Sequence, residues 1–217
     1  KENAKVFGVY HSDKPIGLIM QRDWIDGNKI VCIMDQFMID KKISLIAFLL
    51  LIYGIKKEYG VDDISDFSTK EWGKPYLKSK KFSFNLSHSR SGVMCSIYNN
   101  EVGCDIEPIA LEVLDARWIF SQNEIDMIGN NKNYFTKLWT LKEAYSKCMC
   151  FGLTKDLNHI DFSKYIHKEK FEIMGKRFLS KYKDNFYYSV CVDSVQEDIQ
   201  KECFLKSEDI IKMKKRI

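Results

Sequence analysis

The chain has 217 residues, 45% of them hydrophobic and 29% charged, which is the make-up of an ordinary globular protein and excludes a disordered one. Thirty-four basic residues against 30 acidic ones leave a net charge of +4, spread along the chain without the dense basic patch that nucleic-acid binding requires. Seven cysteines, an odd and scattered number, argue against a disulfide framework and for reduced thiols in a cytoplasmic protein.

Residues 6–10 alternate as a strand, and Asp13-Lys14-Pro15 and Asp26-Gly27-Asn28 read as turns. A helix is predicted over 41–59. Its apolar run, 43–55, has 13 residues, against the roughly 20 that a membrane span needs. A buried helix bracketed by Lys41, Lys42, Lys56 and Lys57 is therefore expected, and no membrane partner. Trp72-Gly73-Lys74-Pro75-Tyr76 reads as a loop. Strands follow at 82–87, 93–98 and 102–107, joined by a turn at His88-Ser89-Arg90-Ser91-Gly92 and another at Asn99-Asn100, which predicts an antiparallel meander. Beyond it come a helical region from about 111, a helix over 134–150, and strands near 171–174, 178–182 and 186–192, the last two joined by Lys183-Asp184-Asn185. The basic end Lys212-Met213-Lys214-Lys215-Arg216 reads as a solvated helix end. The order of helix then strands in each half predicts an α+β fold of two similar subdomains, 1–101 and 102–217. A ligand is expected in the cleft between them.

Asp105 and Glu107 lie two apart on the third strand, so they share a face while Cys104 and Ile106 share the other. Trp139, Glu143 and Lys147 recur at helical spacing and form one stripe. Alone, Glu143 and Lys147 are an ordinary surface pair worth a few tenths of a kcal/mol. Three converging carboxylates with a lysine beside them instead suit a hard divalent cation that holds a phosphate. Asn85-Leu86-Ser87-His88-Ser89 offers hydroxyls and an imidazole at a strand end, and Pro75 fixes Lys74 at a turn. Ser121-Gln122-Asn123-Glu124 matches a capping box, and local sequence leaves Glu124 open as either a cap or a base.

In this order, Trp72-Gly73-Lys74-Pro75, Phe84-Asn85-Leu86-Ser87-His88-Ser89, Val102-Gly103-Cys104-Asp105-Ile106-Glu107 and Phe135-Thr136-Lys137-Leu138-Trp139-Thr140-Leu141-Lys142-Glu143-Ala144-Tyr145-Ser146-Lys147 resemble the 4′-phosphopantetheinyl transferases of the surfactin-synthetase-activating (Sfp-like) type. The resemblance implies a monomeric pseudo-dimer of two α/β subdomains. It also implies transfer of the phosphopantetheine arm of coenzyme A to a serine of an apo acyl- or peptidyl-carrier protein of lipid, polyketide or nonribosomal peptide biosynthesis, with release of adenosine 3′,5′-bisphosphate. It assigns Mg²⁺, or Mn²⁺ in its place, to Asp105, Glu107 and Glu143; the phosphates to Lys147; the nucleotide end of coenzyme A to Lys74, Ser87 and His88; and the proton of the carrier serine to Glu124. Two positions depart from the pattern. Ile43 stands where an arginine usually meets the 3′-phosphate, leaving Lys41 or Lys42 to substitute beside Ser44, and Cys150 stands where a glycine is common. A second class of function, a non-catalytic binder of coenzyme A or carrier protein, would have no evident need for the acidic set.

Overall fold

The computed structural model describes residues 5–10, 19–21, 30–33, 39–61, 66–69, 74–78, 82–89, 92–110, 116–193 and 201–206. Twelve strands and three α-helices are described. The first half holds β1 (Lys5–Tyr10), β2 (Ile19–Gln21), β3 (Ile30–Ile33), α1 (Ile39–Tyr59), β4 (Phe67–Thr69), β5 (Pro75–Leu77), β6 (Ser83–His88) and β7 (Gly92–Tyr98). After it come β8 (Val102–Pro108), α2 (Gln122–Ile128), α3 (Lys132–Met149), β9 (Lys170–Ile173), β10 (Lys176–Lys183), β11 (Phe186–Asp193) and β12 (Lys201–Lys206). Among the described residues no helix is long and apolar enough to cross a membrane.

Two four-stranded sheets organise these elements, in the orders β12-β1-β7-β6 and β8-β11-β10-β9. The α+β class follows directly. α1 buries Ile43, Ile46, Leu50, Leu51 and Ile55 in one core with Phe84 of β6 and Val93, Cys95 and Ile97 of β7. Those three β7 residues are two apart, as a strand presents one face. The alternate β7 residues Met94 and Tyr98 join a second core with Val102, Cys104 and Ile106 of β8 and Leu179, Tyr188 and Val190 of the other sheet. β7 is buried along its whole length because both its faces are covered. The third core lies under α3, where Leu138, Leu141 and Tyr145 pack with Phe162, Phe171 and Phe178.

The expected meander is corrected here. β6 and β7 form the predicted hairpin, with Ser89 N–H donating to Gly92 O across its turn. β8 does not continue it. It pairs antiparallel with β11, setting Gly103 opposite Cys191, Asp105 opposite Ser189 and Glu107 opposite Tyr187. Residues 75–76 are strand rather than loop, since β5 pairs with β4. β12, absent from the sequence reading, lies parallel to β1 and returns the end of the described chain to the first sheet. The turns predicted near residues 13 and 26 and the basic end lie outside the described residues.

Local signals account for the second half. Asn131 Oδ1 accepts the N–H groups of Asn133 and Tyr134 at the start of α3, and Cys150, at φ 58°, ends it in the left-handed conformation. Asp184 and Asn185, with φ 49° and 68°, form the two-residue turn that matches the twist of the β10–β11 hairpin.

Candidate active site

The site forms where edge strand β6 of one sheet meets edge strand β8 of the other. No ladder joins these strands. The Asn85 side chain does so instead, accepting the Cys104 N–H at 2.8 Å. Two residues along, Ser87 Oγ donates to Asp105 Oδ1 at 2.7 Å. α3 lies across β8 at Gly103, where an added Cβ would stand 2.1 Å from Ala144 O and 2.3 Å from Cys148 N. Only glycine permits that approach, and it brings the last turn of α3 down beside Asp105.

Asp105 is 2% exposed. Its Oδ1 takes Lys147 Nζ at 2.7 Å, and Lys147 also reaches Glu143 Oε2 at 3.6 Å. Its Oδ2 is buried without a hydrogen-bond partner. Burial pushes the Glu107 carboxyl up to about 8, and the charges of Asp105 and Glu143 add to the rise. Glu143 is raised as well, by burial first, with Lys147 opposing and Asp105 reinforcing. Burial alone would lower the Lys147 pKa, but Asp105 and Glu143 outweigh it and hold the ammonium charged. The arrangement gathers three carboxyl groups around one cation.

Among the described residues no three His, Cys, Asp or Glu side chains stand together as a ready metal site, because Lys147 is interposed between Asp105 and Glu143. The donor chemistry nevertheless fits a hard cation: three carboxylates that feel one another's charge, and a buried carboxylate oxygen that lacks a partner.

The other predicted residues are placed as follows. Lys74 is buried and donates to Glu101 Oε2 and Val102 O, both at 2.8 Å, which ties it to the start of β8. His88 is exposed at the end of β6, one residue past Ser87. The side chains of Lys41, Lys42 and Ser44 lie outside the described residues, while Ile43, at the usual arginine position, is buried in the core.

Glu124 forms the capping box with Ser121. It is 0% exposed, its Oε2 accepts the Ser121 N–H at 2.7 Å, and its Oε1 accepts the Phe162 N–H at 2.9 Å. It also pairs with Lys142 at 2.7 Å, and both side chains are fully buried. Lys142 in turn donates to the carbonyls of Leu157 and Ile160. The carboxylate is thus enclosed among Ser121, Phe162 and Lys142.

Sequence reasoning gave no role to Lys142, Gly103 or Asn85. The signal for Lys142 was its place on the apolar stripe Leu138, Lys142, Tyr145, at spacings of four and three. Gly103 and Asn85 stand inside the quoted motifs, but what they touch depends on α3 and β8 and cannot be read from neighbours in sequence.

The family model of the 4′-phosphopantetheinyl transferase superfamily matches residues 101–196, the stretch that holds β8, α2, α3 and β9 to β11. The chain is 35% identical over 137 residues to the 4′-phosphopantetheinyl transferase Sfp of Bacillus subtilis, covering 58% of this chain and 59% of that protein. It is 35% identical over 98 residues to the 4′-phosphopantetheinyl transferase gsp of Aneurinibacillus migulanus, covering 42% of this chain and 41% of that one. Identity to the L-aminoadipate-semialdehyde dehydrogenase-phosphopantetheinyl transferase of Candida glabrata is 29% over 143 residues, 58% of this chain and 54% of the relative. The chain thus spans about half the length of the curated relatives it matches.

Proposed function

We propose that the protein transfers the 4′-phosphopantetheine arm of coenzyme A to a serine of an apo carrier protein and releases adenosine 3′,5′-bisphosphate. One observation carries the reading. In the superfamily segment, buried Asp105 has one oxygen on Ser87 and Lys147 and the other without a partner, beside Glu107 and Glu143, whose carboxyls are raised by burial and by Asp105. Asp105, Glu107 and Glu143 would hold Mg²⁺, for which Mn²⁺ offers the same oxygen preference, and the ion would neutralise the pyrophosphate as its bond to the leaving phosphate breaks.

Lys147 would donate to a phosphate oxygen of the leaving group, where a fixed ammonium favours the developing charge. Ser87 and His88, with Lys41, Lys42 and Ser44 at the start of α1, would border the nucleotide end of coenzyme A. Lys74 uses two of its three N–H bonds on Glu101 and Val102 and would offer the third to the 3′-phosphate. Two sheets, each carrying one long helix, support the reading as two similar halves, monomeric, with the site between them. Six free cysteines among the described residues suit a reducing cytoplasm.

The test is direct. Incubated with coenzyme A, Mg²⁺ and an apo carrier protein, the enzyme is expected to raise the carrier mass by one phosphopantetheine at its serine, and chelation of the metal stops the reaction. Binding of both partners with no mass change in the carrier would establish a non-catalytic binder instead.

A further inference from the structure

We propose that Glu101 is a resident counter-ion of Lys74 with which a nucleotide 3′-phosphate must compete, so that it weakens the hold on adenosine 3′,5′-bisphosphate and hastens its release. The inference rests on the transferase reading, which brings a 3′-phosphate to Lys74. The pair is made by the tertiary structure, since 27 residues separate the two in the chain. Lys74 Nζ donates to Glu101 Oε2 and to Val102 O, both at 2.8 Å. The lysine side chain is 7% exposed and the acid 34%. Glu101 is thus the solvent-side member of the pair. It can turn into water at little desolvation cost, whereas the ammonium stays in place on Val102 O.

The acid stands where an acid is not favoured. Glu101 directly precedes β8 and lies against the end of α3, with Cys150 Sγ 3.8 Å from its Oε2 and Cys148 Sγ 3.7 Å from its carbonyl oxygen. The C-terminal end of a helix carries partial negative charge and repels an acid placed there. The ion pair with Lys74 offsets that repulsion. Acid and helix end together therefore diminish the attraction that Lys74 exerts on an incoming anion.

Comparison with Lys147 gives the sign of the effect. Lys147 also has a resident carboxylate, Asp105 at 2.7 Å, but Asp105 stands with Glu107 and Glu143, where a divalent cation would neutralise it. Glu101 pairs with Lys74 instead and keeps its charge when a phosphate arrives. Two anions that share one ammonium repel each other, and the partial exposure of Glu101 screens the repulsion, which leaves an effect of about tenfold in affinity. Such differences lie mostly in the dissociation rate.

Adenosine 3′,5′-bisphosphate and adenosine 5′-monophosphate are titrated calorimetrically into the parent and into Glu101→Gln, whose amide oxygen still accepts from Lys74 but carries no charge. The expected result is about tenfold tighter binding of the bisphosphate, with the monophosphate unchanged. In a Lys74→Met background the same exchange at 101 is expected to alter neither affinity. Bisphosphate binding by Glu101→Gln that equals the parent's or falls below it overturns the proposal and shows a carboxylate that only braces the lysine. Equal tightening of both nucleotides overturns it too, because the charge would then act on the site at large rather than on the 3′-phosphate. A parent that binds neither nucleotide nor coenzyme A refutes the transferase reading, and the proposal with it. Glu101→Asp draws the acid back by one methylene and serves if the glutamine variant fails to fold, with a gain of about threefold expected and no gain refuting the competition.

Discussion

Gly103→Ala adds one methyl group at the point where α3 rests on β8. Its Cβ would stand 2.1 Å from Ala144 O, 2.3 Å from Cys148 N and 2.9 Å from Lys147 C, where ordinary contact begins at 3.4 Å. All three are backbone atoms, so no side-chain rotation relieves the clash, and the helix must retreat by about 1.3 Å at its nearest atom. Overpacking of this kind costs about 1–3 kcal/mol. For a chain of this size each kcal/mol moves the midpoint by about 2–4 °C, which predicts a fall of about 2–12 °C in the thermal melt. The retreat also lifts Lys147 from Asp105, now 2.7 Å away, and a displacement near 1 Å in a reacting group costs about 10²-fold in rate. Circular dichroism melts and initial rates of carrier modification measure both effects. A variant that melts and turns over like the parent would show that the close approach does not hold the site in place.

Glu143→Gln removes one of three mutually interacting carboxylates and is expected to lower turnover by about 10²–10³-fold with the fold intact; a rate near the parent's at saturating Mg²⁺ would remove Glu143 from the site. Glu124→Gln leaves Lys142 as a fully buried charge without its carboxylate, so the melt is expected to fall by about 3–5 kcal/mol while the rate per folded molecule is kept. Recovery of the melt in the double variant Glu124→Leu/Lys142→Met would confirm the pairing, and a slow but stable Glu124→Gln would assign it the base role. Burial acts to raise the Asp161 carboxyl, but hydrogen bonds from Ser163, Asn123 and Ser121 outweigh it and hold its pKa low. A depressed folded pKa gives stability above the unfolded value that is lost as pH falls through the folded one. Asp161→Asn should therefore flatten the acid limb of a stability–pH curve below about pH 4, and an unchanged slope in denaturant titrations refutes the assignment.

What the sequence settled by itself is what neighbours along the chain decide. Alternation placed Asp105 and Glu107 on one face, helical spacing put Glu143 one turn before Lys147, and Ser121 with Glu124 marked the start of α2, each through a local geometry that the backbone imposes. The turn at Asp184-Asn185 and the buried stripe of α1 were legible for the same reason. Tertiary structure decided everything that depends on partners far away in the chain. Whether β8 paired with β7 or β11 was not in the hairpin signal, because the strand satisfies its backbone equally in either sheet and only the packing of both its faces chooses. The same choice put Ser87 on Asp105 and α3 on Gly103. Glu124 shows the division most clearly. Its motif offered a cap and a base alike, and the buried Lys142, 18 residues on in the chain, is what ties the carboxylate into the fold, since a charge without solvent must find an opposite charge inside.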